Sequence, residues 1–130
     1  MYRWVEHTAE LELEIEAETD EAVFEHALRA FAELVAREPG GEPVRHEITL
    51  SAPDRATLLA DWVEELVFLA DTEGLVPRKI AELDLRPDGL RAVVEGRRGS
   101  PAPLVKAVTY HDLEYARDPE GLRARLVLDV

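Results

Sequence analysis

Residues 10–18 read Glu-Leu-Glu-Leu-Glu-Ile-Glu-Ala-Glu, an unbroken alternation of acidic and apolar side chains. A period of two is the period of a β-strand, whose successive side chains point to opposite faces. Leu11, Leu13, Ile15 and Ala17 therefore face a core, while Glu10, Glu12, Glu14, Glu16 and Glu18 line the other side. Like charges in a row repel, so this strand needs either opposite charge on a neighbour or screening by water.

Working outward, the last stretch of the chain offers such a neighbour. Residues 122–130 also alternate, with Leu122, Ala124, Leu126, Leu128 and Val130 on one face and Arg123, Arg125, Val127 and Asp129 on the other. If the two strands pair antiparallel, one register sets Glu16 opposite Arg123, Glu14 opposite Arg125, Glu12 opposite Val127 and Glu10 opposite Asp129. The two opposite-charge pairs contribute roughly 0.2–1 kcal/mol each. The register leaves Glu10 and Asp129 facing each other beside the terminal carboxylate of Val130. Hard oxygen donors gathered in this way suit a divalent cation such as calcium, magnesium or manganese. The alternative is that the two strands are not neighbours.

Between them, Thr19 or Asp20 caps a helix with a stripe of Ala22, Val23, Ala27, Ala30, Phe31 and Leu34, ended by Pro39-Gly40-Gly41. Residues 43–52 read as a strand with Val44, Ile48 and Leu50 inward. Pro53-Asp54 opens the longest helix, about residues 54–73, and Gly74 fits its C-cap. Its wide apolar face (Leu58, Leu59, Trp62, Val63, Leu66, Leu69, Ala70) marks it as the best-buried helix. Strands follow at 76–86 and 90–96 about a Pro87-Asp88-Gly89 turn, then a strand-like run from Pro103 to Tyr115 and a turn at Asp118–Gly121. The expected architecture is α+β: a single domain over residues 1–130, mostly antiparallel β-sheet with two main α-helices.

Composition narrows the function. The chain has 130 residues, long enough to bury a core, and its 46% hydrophobic content argues against disorder. It lacks cysteine, which excludes disulfides, thiol catalysis and thiolate metal sites. Met1-Tyr2-Arg3-Trp4-Val5-Glu6 has none of the marks of a signal peptide, and no apolar run approaches a membrane span, so a cytoplasmic protein with no membrane contact is expected. A formal net charge of -13, with Lys79 and Lys106 the only lysines, works against direct nucleic-acid binding and suits a divalent cation or a basic protein partner.

One stretch concentrates polar chemistry, Lys106-Ala107-Val108-Thr109-Tyr110-His111-Asp112. On a regular strand Lys106, Val108, Tyr110 and Asp112 share one face, and Ala107, Thr109, His111 and Leu113 the other. His7 sits in a second polar cluster, Glu6–Glu10, whereas His26 and His46 read as surface positions. A lone histidine is more often a hydrogen-bonding structural residue than a ligand or a base. No HExxH, GxSxG, Gly-rich phosphate loop or triad spacing is present, so nucleophilic catalysis has no visible vehicle.

Glu6-His7-Thr8-Ala9-Glu10, Leu59–Leu66 with Asp71-Thr72-Glu73-Gly74, Lys106–His111 and the final Asp129-Val130 together resemble the archease family over essentially the whole chain. The resemblance implies a non-catalytic accessory protein that activates an RtcB-type RNA-splicing ligase, promoting its GTP-dependent guanylylation and repeated turnover. It also implies a divalent metal held at positions matching Glu10, Asp129 and Val130, with Glu10 standing where the family usually has Asp. Lys106 matches the family's motif lysine, and Tyr110, His111 and His7 belong to the same motifs as residues of partner activation. The other reading of Lys106 is an edge-strand charge that discourages aggregation. Alternative functions are a chaperone-like modulator of tRNA-modifying enzymes such as a tRNA methyltransferase, and a stand-alone metal-dependent hydrolase using Glu10, Asp129 and His111.

Overall fold

The computed structural model describes residues 1–38 and 40–130. The expected helix stop at Pro39 thus falls outside the described residues. In chain order the elements are β1 (Tyr2–His7), β2 (Glu10–Ala17), α1 (Asp20–Val35), β3 (Glu42–Ser51), α2 (Arg55–Glu73), β4 (Leu75–Arg86), β5 (Gly89–Arg98), β6 (Ala107–Asp118) and β7 (Gly121–Asp129). The strands form two antiparallel sheets, one of order β1-β2-β7-β6 and one of order β3-β5-β4. The α+β architecture read from the sequence is the observed one.

Local chemistry explains both helices. Thr19 is the N-cap of α1, its hydroxyl accepting from the Ala22 N–H at 3.1 Å. Asp54 caps α2 in the same way, accepting from the Thr57 N–H at 2.7 Å. At the other end of α2, Gly74 adopts φ 65°, the left-handed turn that a residue without Cβ accepts freely. Each helix contacts both sheets. Phe24, Phe31, Leu58, Trp62 and Leu66 fill the space between them with Leu13, Ile15, Leu126 and Leu128. The buried Trp62 indole donates to the Phe24 carbonyl at 3.2 Å and so ties α2 to α1.

β2 pairs with β7 in the expected register, Glu10↔Asp129, Glu12↔Val127, Glu14↔Arg125 and Glu16↔Arg123. The ion pairs built on that frame differ from the expected ones. Glu14 is taken by Arg3 on β1 at 2.5 Å. Arg125 reaches diagonally to Glu12 at 3.6 Å and across to Glu114 on β6 at 3.2 Å. Arg123 pairs with Asp118 and Glu120 around the β6–β7 turn. Long arginine side chains reach the best-placed carboxylate rather than the nearest backbone partner.

Three further differences have local causes. β1 escaped the sequence reading because it is an edge strand with half-buried Trp4 and Val5 adjacent, which blurs the alternation. β6 begins at Ala107 rather than Pro103, and its pairing with β7 jumps between Thr109↔Val127 and Glu114↔Arg125. Residues 110–113 therefore leave the ladder, Asp112 turns through φ 60°, and the face-sharing expected beyond Thr109 does not hold. His26 and His46 are half-buried rather than free on the surface. The Met1 amine lies 2.8 Å from His26 Nε2, and burial followed by that nearby positive charge holds the imidazole pKa below its ordinary value.

The central strand that carries Asp129 should dominate stability. Leu126→Ala, at a fully buried position, is expected to lower the unfolding free energy by about 2–5 kcal/mol in urea titrations. Leu104→Ala, at an exposed one, should change it by no more than about 0.5 kcal/mol.

Candidate functional site

The site grows from the β1–β2 hairpin. His7 and Glu10 are cross-strand partners, leaving Thr8 and Ala9 as the turn. Ala9 takes φ 61°, a left-handed backbone that residues bearing a Cβ rarely adopt. Its carbonyl accepts from the Val130 N–H at 3.2 Å, which ties the turn to the residue after β7. One step back, Asp129 pairs with Glu10 on β2 and with Ala107 on β6. The Asp129 carbonyl also accepts from the Lys106 N–H at 2.8 Å. The fold thus brings His7, Glu10, Lys106, Asp129 and Val130 to one end of the four-stranded sheet.

Tyr110 and His111 lie farther along the edge, in the segment that leaves the ladder. The Tyr110 hydroxyl donates to Asp61 on α2 at 2.5 Å, and the Val108 N–H donates to Glu64 of the same helix at 2.9 Å. His111 projects into solvent with its Nε2 3.4 Å from Asp112 and its own N–H donating to the Thr109 hydroxyl at 3.2 Å. The His7 imidazole faces Glu12 at 3.6 Å rather than the Glu10–Asp129 pair.

Asp61 and Glu64 are positioning residues that the sequence reading placed in a motif but gave no role. Both lie on one side of α2, three residues apart, and together they dock the start of β6 and the beginning of its protrusion onto the helix. Glu64 also occupies a backbone donor on an edge strand, where an unpaired N–H invites another chain.

As for a metal, Glu10 and Asp129 offer hard carboxylate oxygens, and Val130 offers main-chain oxygen, a donor chemistry that fits calcium, magnesium or manganese. Among the described residues no three His, Asp or Glu side chains converge closely enough to hold an ion by themselves. A site here would therefore rest on the two facing residues with main-chain oxygen and water completing the shell.

The family model described as the Archease protein family matches residues 2–130. The chain belongs to this family. Archease from Pyrococcus furiosus is 34% identical over 142 residues, covering 100% of both chains. Archease from Methanosarcina mazei is 32% identical over 139 residues, covering 99% of this chain and 95% of that one. The solution structure of Methanobacterium thermoautotrophicum protein 1598 superposes with a TM-score of 0.69 at 31% identity, covering 99% and 98% of the two chains. A Thermotoga maritima archease, described as a possible chaperone, gives a TM-score of 0.70 at 24% identity, covering 100% and 98%, and attests to the fold. Among the described residues no helix is long and apolar enough to cross a membrane.

All three tyrosines of this archease-family chain donate to carboxylates, Tyr2 to Glu33, Tyr110 to Asp61 and Tyr115 to Asp20. For Tyr110 and Tyr115 burial, and then the carboxylate partner, push the phenol pKa upward; for Tyr2 the Glu33 bond leads. A raised folded pKa means stability that is intact below the ordinary phenol value and lost as pH rises through the folded one. Absorbance titration should therefore show the native phenols ionising above about pH 10, the value expected in denaturant. Asp61→Asn should bring one of the three transitions downward, and an unchanged profile would refute the Tyr110 assignment.

Proposed function

We propose that this chain is a non-catalytic activator of an RtcB-type RNA-splicing ligase, promoting the ligase's GTP-dependent guanylylation and multiple turnover. The observation that carries this reading is the convergence of Glu10, Asp129 and Val130 with the Lys106 backbone at one end of a sheet. These are the positions that family resemblance marks as metal-binding and partner-activating. Glu10, Asp129 and Val130 would hold a divalent cation there, and when bound that ion supplies positive charge for phosphate oxygens. Lys106, exposed just before the edge strand β6, has the reach and the charge to meet a phosphate at the partner's nucleotide site. Tyr110 and His111 give the docking edge its shape, because Asp61 and Glu64 fix the segment that presents them. His7 stands on the same hairpin as Glu10 and makes up the rest of that end.

A specific observation favours one other reading, the chaperone-like modulator of RNA-modifying enzymes. Phe68 and Leu104 stand 56% and 42% exposed, an apolar presentation suited to transient protein contact. The hydrolase reading needs His111 beside Glu10 and Asp129, whereas His111 is turned to Asp112.

The deciding measurement is single-turnover guanylylation of the cognate ligase with GTP and metal, with and without this protein. Wild type is expected to accelerate the step, and Lys106→Ala to abolish that acceleration while leaving metal affinity unchanged. Asp129→Ala and Glu10→Ala should weaken cation binding in calorimetry by about 10- to 100-fold or more, since even outer-shell ligand partners are worth that much. No acceleration of a competent ligase would overturn the reading.

A further inference from the structure

The acidity of the whole chain conceals a cationic region on the other sheet. Two adjoining clefts, of about 380 Å³ and 540 Å³, open along β3, β4 and β5, and both are lined by Arg78 and Arg97. The smaller is also lined by Arg45 and Lys79, with Glu95 the one carboxylate among its lining residues. Four of the chain's 15 lysines and arginines thus gather in one place on a molecule of net charge -13.

The backbone builds this gathering. β4 pairs Pro77↔Gly96 and then Lys79↔Glu95, so Arg78 is an extra residue at a β-bulge. A bulge re-aims the side chain it carries, and here Arg78 and Lys79 are exposed in succession instead of alternating. Opposite the bulge, a Cβ added to Gly96 would meet the Val76 carbonyl oxygen at 2.3 Å, so only glycine permits this close approach.

The internal counter-charges are unevenly shared. Glu95 holds Arg45 at 3.0 Å and Lys79 at 3.4 Å, and Glu82 takes the other side of Arg45 at 3.0 Å. Arg78 and Arg97 form no ion pair among the described residues; the Arg97 guanidinium donates instead to the Gly41 carbonyl at 3.0 Å. Two guanidinium groups at the junction of two clefts are thus left for an anion from outside.

We propose that this surface binds the phosphodiester backbone of a nucleic acid, with Arg78 and Arg97 as the principal contacts and Glu95 as a built-in competitor. Contiguous open clefts sharing the same two arginines suit successive phosphates better than a single enclosed anion. An acidic peptide is less suited, because none of the exposed large apolar side chains (Met1, Phe68, Leu104, Tyr110) lines either cleft to anchor it. No aromatic residue lines them either, so bases would not stack and binding is indifferent to sequence.

The test is fluorescence anisotropy of a labelled 12-nucleotide RNA titrated with the protein in about 20 mM salt, where phosphate contacts are strongest. Wild type should bind, and the logarithm of affinity should fall with the logarithm of salt at a slope of about -1.4, as about two neutralised phosphates on a single strand require. The Arg78→Ala/Arg97→Ala variant should lose about ten-fold or more, whereas Glu95→Gln should bind more tightly than wild type. Arg123→Ala, which removes one positive charge from the other sheet, is the control and should stay within about two-fold of wild type. Circular dichroism and thermal melting establish that each variant is folded. Absence of binding in about 20 mM salt, or equal losses in the double variant and the control, overturns the proposal. So does binding of inorganic pyrophosphate or of a poly-glutamate peptide under conditions where the RNA fails to bind.

Discussion

The pairing of β2 with β7 is the constraint on which the rest depends. In the observed register Leu11 meets Leu128, Leu13 meets Leu126, Ile15 meets Ala124 and Ala17 meets Leu122. A slip of one residue would turn the glutamates of β2 into the core and its leucines into water. The apolar side therefore fixes the register with far more free energy than the polar side can contest. Two carboxylate residues that would avoid each other in solution are held opposite at Glu10 and Asp129. Hydrophobic burial thus supplies the geometry, and the electrostatics of the polar face must accommodate it.

The same frame explains how the outer face of that sheet tolerates so many acids. Arg125 is the hub, half-buried and ion-paired on both sides, to Glu12 and to Glu114. Its Nε is buried without a partner, the one such side-chain atom among the described residues. Burying it uncompensated carries a cost, offset by two carboxylates that flank the same guanidinium. Arg3 and Arg123 balance the acids nearer the other end of the sheet. Towards the end that holds Glu10 and Asp129, no arginine is supplied in this way among the described ion pairs. That asymmetry is what distinguishes a candidate cation site from an acidic face that has simply been neutralised.

How much of this was legible in the sequence depended on the range of the signal. β2 and β7 could be read and registered because each alternates cleanly and each shows one face to the core. α2 could be bounded because Asp54 and Gly74 are local start and stop signals. β1 was illegible since adjacent Trp4 and Val5 are both partly covered on an edge strand, leaving no period to detect. The docking of Tyr110 on Asp61 links residues 49 apart, between a helix and a strand, and no periodicity encodes such a contact. Arg78 was equally hidden: a bulge is an exception to period two, and the strand reading of residues 76–86 passes over it. The Glu10–Asp129–Val130 end was legible as an arrangement of backbone, and the ion it would hold belongs to the proposed function.

Strain points to the same end of the molecule. Among the described residues, only Ala9 and Asp112 are non-glycines with positive φ, and both sit in the segments that carry the family's motifs. Such conformations cost about 1–3 kcal/mol each and persist where surrounding contacts over-determine them. Ala9 is held by its hairpin and by the Val130 N–H. Asp112 is held within a segment whose two shoulders, Thr109 and Glu114, are locked into the β7 ladder. A glycine at either position would relieve the backbone at once, yet the chain keeps Ala9 beside Glu10 and Asp112 beside His111. The two turns therefore keep their shape against that strain, through the Val130 N–H at Ala9 and the β7 ladder on either side of Asp112.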